Sequence, residues 1–78
     1  MKSMTCRQLG GACEEVFSAE TFEEIAELSK KHGSAMYQQQ DTAHIEAMGI
    51  MQKLMQTPDA MQQWYKDKKA EFDALSHH

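Results

Sequence analysis

No apolar run in this chain is long enough for a secretory signal or a membrane span. The sequence alone therefore predicts a cytoplasmic protein with no membrane role. It also has no basic excess: 8 Lys and Arg stand against 12 Asp and Glu, for a net charge of −4. Phosphate binding needs a basic face, so the charge argues against nucleic acid and no such partner is expected. The small cluster Lys66, Lys68 and Lys69 sits among acidic residues and reads as a solvated helix face. Internal repeats, low-complexity tracts and linkers are missing, and 78 residues make one domain near the lower limit of what a core alone can stabilise. Thiols are scarce too, with only Cys6 and Cys13. In a reducing compartment two cysteines are more often thiols or metal ligands than a disulfide. Their spacing is not Cys-x-x-Cys, which leaves little support for a thiol redox protein. No general base or supporting carboxylate can be placed from the sequence, and no enzyme activity is expected.

What is present is organised around Cys6-Arg7-Gln8-Leu9-Gly10-Gly11-Ala12-Cys13. If residues 2–8 and 13–18 form the strands of a hairpin, Gly10 and Gly11 supply the positive φ of a tight turn. A two-residue loop at Leu9-Gly10 or Gly10-Gly11 sends both thiols to one sheet face; a three-residue loop separates them.

Helix signals follow. Thr21 to Glu24 forms a capping box, opening a helix through Lys30, Lys31 and His32, with Gly33 suited to the position just past its end. Residues 34–40 either extend that helix or form a separate turn. Asp41 or Thr42 caps a second helix through Gln56. Thr57-Pro58-Asp59 starts a third, whose stripe is Met61, Trp64, Tyr65, Phe72 and Leu75. The expected fold is α+β, an N-terminal β-hairpin packed on three short helices.

Stepping the helices at roughly 100° per residue puts His32 between Leu28 and Ile25. The same step puts His44 among Met48, Met51 and Met55 on an apolar side. A polar group on such a face needs an internal partner. That partner can be a carbonyl or carboxylate, or the histidines can join the cysteines in a Cys2His2 set that suits tetrahedral Zn²⁺. The cysteines can equally serve as small apolar residues. The seven methionines read as core filler, with a soft Cu(I) site as a lesser alternative. His77 and His78 lie at the terminus and could bind adventitious metal.

Cys6-x-x-Leu9-Gly10-x-x-Cys13, then Thr21-x-Glu23-Glu24 and His32, resembles the small bacterial family catalogued as domain of unknown function 1059. Its members are commonly labelled predicted small metal-binding proteins. The resemblance covers about residues 1–36 and implies a hairpin followed by a helix, with Cys6, Cys13 and His32 as candidate ligands. Ala12 stands where the family usually has Asp, and Met36 where it often has a second His, so His44 from the additional helices of residues 41–78 becomes the candidate fourth ligand. The function expected is a small non-catalytic metal-binding protein, with Zn held by Cys6, Cys13, His32 and His44. The alternative is a metal-free module that pairs with itself or with an unknown protein. Helix two is apolar over a wide side (Ile45, Ala47, Met48, Ile50, Met51, Leu54, Met55), and with helix three it carries more apolar surface than a monomer this small can hide, so a homodimer is expected.

Overall fold

Two four-residue strands, β1 (Lys2–Thr5) and β2 (Val16–Ala19), pair antiparallel in the register Lys2↔Ala19, Ser3↔Ser18, Met4↔Phe17 and Thr5↔Val16. Side chains alternate between faces. Met4, Phe17 and Ala19 are buried on the inner face, while Ser3 and Ser18 join hydroxyls at 2.7 Å on the outer one. The computed structural model describes residues 1–75, which leaves His77 and His78 outside the described residues.

Three helices follow the hairpin: α1 (Phe22–Gln38), α2 (Thr42–Leu54) and α3 (Pro58–Asp73). The fold is α+β, as the sequence implies. Each helix opens on the cap its sequence announces. The Thr21 hydroxyl accepts from the Glu24 amide, the Asp41 carboxylate from the His44 amide, and the Thr57 hydroxyl from the Ala60 amide. In α1 the reciprocal half of the capping box differs, because the Thr21 hydroxyl itself donates to the Glu24 carboxylate at 3.1 Å.

The core is one cluster: Met4, Phe17 and Ala19 from the strands, Cys6 and Leu9 from their connection, Phe22 and Ile25 from α1, and Phe72 from α3. Phe22 makes edge-to-face contacts with Tyr65 at 5.0 Å and Phe72 at 5.9 Å between ring centres, a geometry that aromatic quadrupoles favour. Lys2 holds its ammonium 5.1 Å from the centre of the Phe72 ring.

Two expectations are corrected and one open alternative is decided. The strands stop at Thr5 and begin again at Val16, so neither cysteine lies on a strand and the tight turn is replaced by a connection of residues 6–15. The first helix runs straight through Gly33 to Gln38. Gly33 lies inside the helix, where an added Cβ would sit in ordinary contact with Met48 of α2, at 3.6 Å. The helix closes instead on Gln40, at φ 58°, with the Gln40 amide on the Tyr37 carbonyl and the Asp41 amide on the Met36 carbonyl. This is a Schellman ending built on a residue other than glycine. Finally, the methionines are not general core filler, since Met4 alone of the seven is buried.

α2 is the outlier of the fold. Its only buried residue is His44, while Ile50 and Leu54 stay 61% and 59% exposed. Ala47, Met48, Met51 and Met55 are only half-buried, so apolar burial holds this helix weakly.

Candidate metal centre

The connection after β1 turns back on itself. The Cys6 amide donates to the Glu15 carbonyl at 2.8 Å, continuing the ladder one step past Thr5↔Val16, and the Arg7 amide donates to the Cys13 carbonyl at 3.0 Å. Between them Arg7–Leu9 form a 3₁₀ turn that ends at Gly10, whose φ of 93° a side chain would strain. The Cys6 carbonyl accepts from both the Leu9 and Gly11 amides. Gly11 has ordinary φ and is required for a different reason: a Cβ there would collide with the Cys6 Sγ and approach the Cys6 carbonyl to 3.0 Å. The loop thus wraps the Cys6 thiol in backbone and brings Cys13 back alongside it. Outside, Arg7 pairs with Glu14, which is 70% exposed and turned away from the thiols.

The histidines arrive from two helices. His32 of α1 points its Nε2 at the Cys13 Sγ, 3.2 Å away, and His44 of α2 points its Nε2 at the Cys6 Sγ, 3.7 Å away. The His32 ring is steadied by edge-to-face contact with Phe17 at 5.6 Å and with His44 at 5.3 Å. One donor atom from each of Cys6, Cys13, His32 and His44 lies within 4.8 Å of the others. A tetrahedral zinc with bonds of about 2.0–2.3 Å has edges of roughly 3.3–3.8 Å between its ligand atoms. The two separations above are close to those edges, and an ion at the centre would draw in donors that now lie up to 4.8 Å apart. All four sequence candidates are therefore brought together, although the cysteines meet in a folded connection rather than across a sheet.

Asp41 does more than cap the second helix. Its carboxylate accepts from the His44 backbone amide at 3.0 Å and from the His44 Nδ1 at 2.9 Å, so one group starts α2 and fixes the imidazole. With Nδ1–H committed to Asp41, Nε2 carries the lone pair a metal needs. The signal was present as Asp-x-x-His at a helix start, the cap-to-third-residue spacing that also lets a side chain at that third position reach back.

The electrostatics follow the same contacts. Burial pushes the Cys6 thiol above its ordinary value. The Cys13 thiol is lowered, chiefly by the Glu15 amide and also by His44 and Cys6. Asp41 raises His44, and His44 in turn lowers Asp41. Cys13 is thus the readier thiolate, and a cation at the centre would ionise both.

Beside the cluster opens a groove of about 530 Å³ lined by Met48, Met51, Met55, Met61 and Trp64, with Cys6, His32 and His44 at its floor. No described helix is long and apolar enough to cross a membrane. Set against known proteins, the chain matches no family model, no curated protein and no solved structure.

Proposed function

We propose that this chain is a small non-catalytic Zn²⁺-binding protein whose ion ties α2 to the rest of the fold. The observation that carries the reading is the convergence of two thiols and two imidazole Nε2 atoms, from three separate elements, within 4.8 Å. Two thiolates and two neutral imidazoles are a donor set that Zn²⁺ takes tetrahedrally. Filling all four positions closes the site to water and substrate, which supports a structural role over an enzymatic one. The structural role also answers the puzzle of α2, since its single buried side chain is one of the four donors. The resemblance to domain of unknown function 1059 supports Cys6, Cys13 and His32 as ligands. In this chain His44 would supply what Met36 cannot. Thiolate ligation suits a reducing compartment, and we assign the protein to the cytoplasm on that basis.

The test is elemental analysis of protein purified without added metal, with His77 and His78 replaced by Ala to remove stray ligands. About one zinc per chain is expected, falling to near zero in Cys6→Ser and Cys13→Ser. Protein that holds no metal, with both thiols titrating freely, would refute the reading.

A further inference from the structure

α2 has a second feature that the metal centre does not use. Ala43, Ala47, Ile50 and Leu54 recur at intervals of four, three and four residues, which places them on one stripe of the helix. That stripe lies about a quarter turn from His44 and runs along the lip of the groove, which Ala47 helps to line. Ile50 and Leu54 are among the most exposed large apolar residues of the chain, at 61% and 59%. The molecule measures only 15 Å in its shortest direction, and among the described residues Ala43, Ile50 and Leu54 stay exposed while Ala47 is half-buried.

We propose that the stripe is a homodimer seam, in which α2 packs antiparallel against α2 of a second copy about a two-fold axis. Two independent properties of the sequence fit that occupant. The first is size. An antiparallel pairing that sets Ala43 against Leu54 also sets Ala47 against Ile50, so each small residue faces a large one and the two helices interdigitate along the seam. A two-fold axis repeats the match on the other side, as an isologous interface requires. The second is charge. Glu46 and Lys53 flank the stripe on the same side, each one position before an apolar residue of it. In the antiparallel register fixed by the size match, Glu46 of one copy comes beside Lys53 of the other, twice per dimer. Both are exposed, and among the described residues neither has an ion-pair partner within its own chain. A parallel pairing would instead send Glu46 and Lys53 of the two copies to opposite sides of the seam, where neither meets its complement. Self-complementarity in both size and charge is what a second copy needs, and a foreign partner would not require it.

This inference does not depend on the metal reading, and one set of samples separates the two. The metal-loaded protein is followed by sedimentation equilibrium from micromolar to about millimolar concentration. Zinc content and helical circular dichroism are read on the same material. The mass is expected to rise from the chain's 8.9 kDa toward twice that value. Glu46→Lys and Lys53→Glu alone should each raise the dissociation constant about tenfold, because each puts like charges together at two symmetric places. The double reversal should return it to within about threefold of the original. Unchanged zinc and helix content in all three variants shows that the fold is intact. A monomer across the whole range overturns the proposal. So does a dimer that ignores the reversals, which would place the interface on another face.

Discussion

The dual role of Asp41 permits a substitution that separates helix capping from metal-site support. Asp41→Asn keeps an oxygen at the same place. Asn caps a helix about as well as Asp, so α2 should still begin at Thr42. The amide oxygen can also still accept the Nδ1–H of His44. What disappears is the negative charge 2.9 Å from that ring, which makes the imidazole a stronger donor to the ion. Loss of a carboxylate behind a ligating histidine typically lowers metal affinity by about 10–100-fold. The expected loss here is near ten, because the hydrogen bond survives in neutral form. Asp41→Ala removes the bond as well. It leaves a buried Nδ1–H on a side chain only 7% exposed, and costs about 1–3 kcal/mol in the metal-free protein through that group alone. Its metal affinity should fall toward the hundredfold end. The assay is competition for zinc against a chromophoric chelator, paired with urea unfolding in excess chelator. Asp41→Asn that is fully helical and binds zinc with undiminished affinity would show that the carboxylate only caps the helix, and the argument for its second role would fail.

The remaining expectations concern the ion, the glycines, the end of α1 and pH. His32→Ala and His44→Ala should each abolish stoichiometric zinc, measured side by side with denaturant midpoints; retention in either removes that residue from the ligand set. Chelation should speed amide exchange throughout α2 while the strands and the first turns of α1 stay protected, since His44 is the one buried anchor of that helix; uniform protection loss would contradict this. Gly11→Ala must displace the Cys6 thiol, costing roughly 1–3 kcal/mol as overpacking and weakening zinc binding, and urea midpoints with and without metal read both effects. Gln40→Gly should raise stability by about 1 kcal/mol, because φ 58° is strained for any residue with a Cβ; a lower urea midpoint in this variant would refute the assignment of strain there. In metal-free protein Asp41 is lowered and His44 raised, so their pairing stabilises fully above the ordinary carboxylate value of about 3.8 and below the ordinary imidazole value of about 6.5. The stability difference between the parent and Asp41→Asn should be largest in that window. It should shrink as pH falls through the lowered Asp41 value or rises through the raised His44 value; a difference that does not vary with pH would contradict the pairing.

The helix starts were legible in the sequence because their causes are local. Thr21, Asp41 and Thr57 each satisfy an amide three residues ahead, and that bond forms whatever the chain does elsewhere. The faces of His32 and His44 were legible for the same reason, since helical periodicity sets the direction of a side chain before any packing occurs. The α+β order followed from these signals and from the glycines between two short segments of mixed polarity. The cysteines show the limit of this. Strand alternation offered one route by which they could meet, but the chain uses another: Thr5 ends the ladder, Gly10 takes a positive φ, and Gly11 leaves room for the Cys6 sulfur. Gly33 shows it too: a residue suited to end the helix lies inside it, and the ending forms at Gln40 instead. The four-donor cluster itself was decided by tertiary structure. Cys6 and His44 are 38 positions apart, and no hydrogen bond within a helix or turn spans that distance. Only the packing of α1 on the sheet, and the length and ending of α1 that aim α2 back across the connection, bring those two side chains to one point.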